Sequence, residues 1–309
     1  MIGLWRASRR TPAIQASHQS LTDKPVKYRL GSRWWPKRVC IAVAATPLAF
    51  STVLFADWQY DNSVIRRQAA EITADLTQDS VRIVAVNHWV YDHQGFGKNS
   101  SYFIVPALGP TPIQVMEGGG DCSDKSRLVA AMLNELGIDA GLVMISPCPH
   151  CDFIHTVVEA RYEGGSMVVD PIWNIDYPAG DGRYFGVRDL AWTNRGEERV
   201  VELQHQRGEA DKIATMPATE ARFEYAVAMN WDKNVVTHIA AVTMRLLGHQ
   251  PETMFRPRVL EDPKLALSWL LLLVAMAATA ASVLLYGIYR ALLLKGGSDD
   301  RNPREIAMS

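Results

Sequence analysis

Apolar side chains recur at helical spacing between residues 64 and 92. Ile65, Ala69, Ile72 and Leu76 are followed by Val81, Val84 and Trp89, which predicts one or two helices. The pattern lapses into a loop marked by Gly95, Gly97, Pro106, Gly109, Pro110 and Pro112, ending in three glycines at 118–120. It returns at Cys122, where Leu128, Val129, Met132, Leu133 and Leu136 form a stripe and Gly137 supplies a stop. The period then falls to two. Residues 138–146, 153–162 and 166–173 read as strands, the last pair joined by a tight turn around Glu163, Gly164 and Gly165. Residues 174–218 are polar and read as irregular. An amphipathic helix is predicted over 219–247, and a linker with Pro251, Pro257 and Pro263 follows. The chain shows no internal repeat and no low-complexity tract.

Two stretches carry no charge: VCIAVAATPLAFSTVLFA (39–56) and LSWLLLLVAMAATAASVLLYGIY (267–289). Each approaches the roughly 20 apolar residues that cross a bilayer as a helix. The first contains Pro47 and is also compatible with the apolar core of a secretory signal. Leu54 stands where a cut after Ala56 would need a small residue, and the leader ahead is long, so an uncleaved anchor is expected. Arg6, Arg9, Arg10, Lys24, Lys27, Arg29, Arg33, Lys37 and Arg38 precede the first run against only Asp23, and Arg290 and Lys295 follow the second. That bias places both termini in the cytoplasm.

The expected organisation is a basic cytoplasmic leader (1–38), a first span (39–56), an extracytoplasmic domain (57–265), a second span (266–289) and a cytoplasmic tail (290–309). Within the domain, a core of about 64–200 precedes a C-terminal helical part of about 201–250. Such a chain is expected to be integral to a bacterial inner membrane. The 309 residues are 48% hydrophobic and 21% charged, enough for one or two folded domains. The net charge of −1 argues against nucleic acid as a partner. The leader's basic residues are read as a topology signal rather than a lipid or nucleic-acid site.

Candidate chemistry begins in GGGDCSDKS, residues 118–126. A thiol acts as a nucleophile only as thiolate, and a helix N-terminus lowers its pKa because unpaired N–H groups and the helix dipole favour negative charge. Those N–H groups also suit a developing oxyanion, and glycines allow close approach of a substrate backbone. Position alone fits equally well a Cys122 that is a small residue in a buried first turn. The hairpin supplies a base. If Glu163 and Gly164 are the central turn residues, Tyr162 faces Gly165 and Val157 faces Asp170. His155 then shares a face with Asp170 as its diagonal neighbour. A turn centred one residue later would send Asp170 to the other face. A satisfied core histidine and a turn-capping aspartate are the alternatives.

The strings GDCSDKSRLVAAMLNELGIDAGLV and HTVVEARYEGGSMVVDP resemble the core of the transglutaminase-like superfamily over about residues 118–173. The shared pattern is Gly-Asp-Cys, a helix ending in Leu-Gly-Ile, a strand opening with His and a strand ending in Asp-Pro. The resemblance implies a papain-like α+β fold in which Cys122 attacks an amide or acyl carbonyl, His155 shuttles the proton and Asp170 orients the imidazole. It also implies that the Cys122 N–H is half of an oxyanion hole. Gln114 or Trp89 is a candidate for the other donor, against a structural role for each.

The motif CPHC, Cys148 to Cys151, lies just before the His155 strand and has no counterpart in that pattern. A thioredoxin-type redox site would open a helix, and here a strand follows. A metal site with His150 and His155 is a second reading. A loop disulfide in an oxidising compartment is the expectation. Cys40 reads as a small lipid-facing residue. The leading functional expectation is a membrane-anchored cysteine hydrolase, a peptidase or amidase, acting on a protein or peptide of the cell envelope without cofactor or metal. A transacylase that joins amines to acyl groups and a non-catalytic envelope interaction module are the alternatives.

Overall fold

Nothing between the first apolar run and the first predicted helix of the domain can end a helix, because residues 57–64 (DWQYDNSV) contain neither glycine nor proline. The computed structural model describes residues 35–104, 108–148, 151–152, 154–193, 195–207, 221–231, 235–249 and 258–296. In it, the apolar run and the domain helix are one continuous helix, α1 (Trp35–Ile72), of 38 residues. Helix α2 (Asp79–Asp92) follows, so the predicted pair over 64–92 is present with its break at 73–78. The expected loop before the glycine run contains a short helix, α3 (Pro112–Gly118). Thr111 caps it, accepting from the Gln114 N–H while the Gln114 side chain accepts from the Thr111 N–H. Proline at the first helical position reinforces that start. Helix α4 (Cys122–Glu135) ends as expected, with Gly137 in the left-handed region at φ 82°.

The predicted strands appear as β1 (Ala140–Ser146), β2 (His155–Tyr162) and β3 (Gly165–Asp170). They form an antiparallel sheet in which Tyr162 pairs with Gly165 and Val158 with Val169, the register expected from a Glu163–Gly164 turn. Side chains alternate between two cores. Leu142, Val158, Ala160, Met167 and Val169 face a cluster built with α1, α2 and α4. Val143, Ile145, Val157 and Val168 face a second cluster with Ile172, Trp173, Tyr177, Val200 and Phe223. Because both faces are covered, the strands read as nearly continuous apolar runs.

The segment expected to be irregular, 174–218, is more ordered than its composition suggests. It holds the short strands β4 (Ile175–Asp176), β5 (Pro178–Gly180) and β6 (Arg183–Tyr184), then α5 (Val187–Thr193) and α6 (Arg195–Arg207). Helix α6 buries Gly196, Val200 and Gln204, one narrow stripe that includes a glutamine and so lacks an apolar period. The helix expected over 219–247 begins only at Val235, as α7 (Val235–Leu246). Ahead of it, β7 (Tyr225–Val227) adds to the free side of β1, giving the order β4-β3-β2-β1-β7. Residues 208–220 lie outside the described residues. A 3-10 turn, Arg258–Leu260, precedes α8 (Pro263–Gly296), which Asp262 caps through the N–H groups of Lys264 and Leu265.

Two helical stretches within α1 and α8, Arg38–Ile72 and Pro263–Ala291, are long and apolar enough to cross a membrane. The architecture is α+β: a helix bearing Cys122 packed on an antiparallel sheet bearing His155 and Asp170, flanked by two apolar helices.

Candidate active site

Helix α4 starts at Cys122 because Asp121 caps it. The Asp121 carboxylate accepts from the Asp124 N–H at 3.1 Å, and Asp124 accepts in return from the Asp121 N–H at 3.4 Å. Cys122 is thus the first helical residue, where a backbone N–H has no carbonyl from a preceding turn to bind. The glycines ahead of it serve their own chain. Gly119 has φ 75°, and a Cβ there would lie 2.6 Å from the Gly95 carbonyl oxygen. At Gly120 a Cβ would lie 2.3 Å from that of Asp124. Close internal packing, rather than room for a substrate backbone, therefore demands glycine at both positions.

Two buried side chains of α4 fix where the thiol stands. Lys125 donates to the carbonyls of Val90, Tyr91 and Gln94 at 2.9–3.1 Å, placing its ammonium at the C-terminal end of α2. Ser126, one turn after Cys122 on the same face, donates to the Thr156 carbonyl of β2 at 2.9 Å. That bond locks the helix against the strand one residue from His155. Periodicity marks neither residue, since a lysine and a serine inside an apolar stripe look like its polar edge.

His155 and Asp170 lie on the face of the sheet that carries Val157 and Val168, as strand alternation requires. His155 Nε2 lies 2.6 Å from Asp170 Oδ2, and both residues are buried, at 2% and 0% exposure. The second oxygen of Asp170 accepts from the N–H groups of Ile172 at 2.8 Å and Trp173 at 3.4 Å. From α2, Asn87 Nδ2 donates to the Asp170 backbone carbonyl at 3.3 Å. The Trp173 ring covers the imidazole at 4.7 Å between centroids. Trp173 and Asn87 belong to the site by position, and no signal in their local sequence separates them from core residues.

Cys122 stands near enough to His155 to bear on its proton equilibrium. With Nε2 held by Asp170, Nδ1 is the nitrogen left for the sulfur. Burial alone would lower the pKa of His155. The Asp170 charge and hydrogen bond, with the Cys122 contact, outweigh it and raise the value to about 10. The imidazole is thus held as imidazolium at neutral pH, the charge a neighbouring thiolate needs.

Of the two candidates for a second oxyanion donor, Gln114 sits in the capping box of α3 and has its side-chain oxygen committed there. Trp89 packs on the first core cluster and stacks on His93 at 4.1 Å. Cys148 and Cys151 are joined by a disulfide in the loop between β1 and β2. Ser146 ties that loop back to its strand by donating to the Cys148 carbonyl at 2.8 Å. His150 lies outside the described residues, and among those described no group of three or more His, Cys, Asp or Glu could hold a metal ion. Cys40 is a free, half-buried residue of α1.

Comparison with known proteins finds the same core. Residues 66–171, about a third of the chain, match the transglutaminase-like superfamily. That segment holds Cys122, His155 and Asp170 together with α2, α3 and α4. Among solved structures, a candidate cysteine protease from Cytophaga hutchinsonii is 18% identical over 37% of this chain and 38% of its own, with a TM-score of 0.31. A candidate protease from Parabacteroides distasonis is 14% identical over 41% of this chain and 30% of its own, with a TM-score of 0.29. The chain thus spans less than two fifths of either protein's length. No curated protein matches the sequence at a significant level.

Proposed function

Residues 66–171 being a transglutaminase-like domain, we propose that the protein is a membrane-anchored cysteine hydrolase that cuts an amide bond in a protein or peptide of the cell envelope. Cys122 is the nucleophile, His155 the acid and base, and Asp170 the residue that orients and charges the imidazole. The observation carrying this reading is the buried His155–Asp170 bond of 2.6 Å, with Cys122 near enough to help raise the imidazole's pKa.

In the first step the Cys122 thiolate attacks the carbonyl carbon, and the Cys122 N–H donates to the developing oxyanion. As the C–N bond breaks, His155 gives its proton to the leaving amine, and a thioester remains. In the second step His155 takes a proton from water, whose oxygen attacks the thioester carbon. The acid departs and Cys122 leaves as thiolate beside a reprotonated imidazole.

Anchoring is supported by the two apolar helices. Residues such as Val39, Ile41, Val53 and Leu284 expose 49–68% of their surface, far more contiguous apolar area than a protein surrounded by water normally shows. The basic residues before α1 support a cytoplasmic position for both termini, with residues 57–265 as the extracytoplasmic catalytic domain.

The test is alkylation of Cys122 by chloroacetamide in the full chain, followed by mass spectrometry. Labelling at neutral pH is expected to slow by at least tenfold in His155→Ala. Equal rates in the two proteins would remove the catalytic assignment. Adding a primary amine to a turning-over reaction then reports the second step. Free acid as the only product marks a hydrolase, and an amide bearing the added amine marks a transferase.

A further inference from the structure

The two apolar helices are not loosely attached to the domain they flank. Helix α1 passes without interruption from its apolar run into the first core cluster, where Ile65 and Ala69 are fully buried. One residue after Ile65, Arg66 pairs at 2.6 Å with Glu135, at the C-terminal end of α4. Ahead of α8, Arg258 pairs at 3.6 Å with Asp139, four residues beyond Glu135. The helices are also joined to each other. Lys264 of α8 reaches Asp57 and Asp61 of α1, both at 2.6 Å. Ser51 and Ser268 exchange hydroxyl-to-carbonyl hydrogen bonds at 2.9 and 3.0 Å. The charged ends of both helices therefore stand at one level, and the C-terminal end of α4 is pinned near it.

A limit on the height of the nucleophile follows. At 1.5 Å of rise per residue, Arg66 is about 14 Å from the level of Asp57, and the length of α4 adds at most about 20 Å. Cys122, at the far end of α4, lies within about 35 Å of the point where the helices leave their apolar stretch. An extended chain covers that distance in about ten residues at roughly 3.4 Å each. Within such a shell, chains tethered in the same membrane reach millimolar effective concentration, while free chains remain at their bulk value.

Resting on the anchored-hydrolase reading above, we propose that the substrate is a polypeptide tethered in the same membrane, cut within about ten extended residues of the bilayer surface. The stiffness of α1 selects the bond by height. On a flexible linker the domain would sample a far larger volume and lose that selection.

The experiment uses the full chain in phosphatidylethanolamine–phosphatidylglycerol vesicles. One probe is a chloroacetamide linked to a phospholipid head group through polyethylene glycol spacers of increasing reach, and the other is the same chloroacetamide free in solution. Cys122 labelling is read by mass spectrometry. At equal total concentration, the tethered probe is expected to label at least tenfold faster than the free one once its reach is about 35 Å. The advantage should decline as the spacer is lengthened several-fold.

Equal rates for tethered and free probes at every spacer would overturn the proposal while leaving the active site intact. Failure of the free probe to label above the rate of His155→Ala would instead overturn the catalytic reading. In a second protein, twelve Gly/Ser residues are inserted after Asp57 and after Glu261, with labelling by the free probe reporting whether the domain still folds. If it does, the spacer dependence should flatten, and an unchanged profile would show that α1 does not set the height.

Discussion

The candidate catalytic corner and the helix pair are both fastened by short polar contacts, and the two sets of contacts behave differently. In the corner, His155 and Asp170 meet at 2.6 Å with almost no exposure, under the Trp173 ring. In the helix pair, Lys264 meets Asp57 and Asp61 at the same distance; the Asp57 side chain is 50% exposed, while Asp61 is buried. Water can solvate Asp57 when the second contact is broken, and it can reach neither partner of the first. Burial therefore turns an ion pair from a fastening into a control on the proton. In the corner the Asp170 charge and hydrogen bond, with the Cys122 contact, outweigh burial and hold His155 as imidazolium up to about pH 10.

The largest expected effect is that of His155→Ala. It removes the proposed proton carrier and leaves the buried Asp170 without its cation, so turnover should fall by about 10⁴-fold and stability by about 3–5 kcal/mol. Urea unfolding and turnover measured together check both. A folded variant of unchanged stability would mean that the corner is as forgiving as the helix pair.

Asp170→Asn should come next, slowing acylation on the order of a hundredfold and moving the alkaline limb of kcat/KM. The sign follows from the raised pKa. His155 keeps its proton to about 10, and the pair's stabilisation is complete below the unfolded value near 6.5 and lost as pH rises through the folded one. Removing the Asp170 charge should bring the limb downward, and a limb that stays in place would detach it from His155.

Ser126→Ala loses one buried hydrogen bond between α4 and β2. A loss of about 1 kcal/mol is expected, together with severalfold slower alkylation of Cys122 by a soluble probe. A stability change without a labelling change would make Ser126 a fastening alone.

The smallest effect on the chemistry is expected from Lys264→Met. It should loosen the helix pair, read as faster crosslinking of cysteines placed at Ser51 and Ser268 by a long bifunctional reagent. Labelling of Cys122 by the soluble probe should stay within about twofold, since solvent can reach the freed Asp57 carboxylate. A tenfold loss would show that the two regions are coupled and end the contrast.

Legibility followed the same division between local and remote interactions. The Glu163–Gly164 turn fixes which residues face each other across the hairpin, so the meeting of His155 with Asp170 was readable before any coordinates. Cys122 was readable as a helix start because an aspartate precedes it and a period of helical spacing follows. The region after Trp173 was not. Helix α6 buries a glutamine and a glycine beside one valine, and only the strand and loop it covers make that face an interior. Gly119 and Gly120 looked like a path for substrate and proved to be room for Gly95 and Asp124.

The sequence alone determined the order of helices and strands, the pairing of the hairpin, the two apolar runs and the set of reactive residue types. These rest on periodicity, turn chemistry and end capping, each of which acts over a few neighbouring residues. Only the tertiary structure decided that Ser126 docks on Thr156, that Lys125 closes the end of α2, that Asn87 and Trp173 enclose the His155–Asp170 pair, and that the first apolar run and the first domain helix are one stiff rod. A buried polar group must find a partner, and which partner it finds depends on what the fold brings beside it from far along the chain.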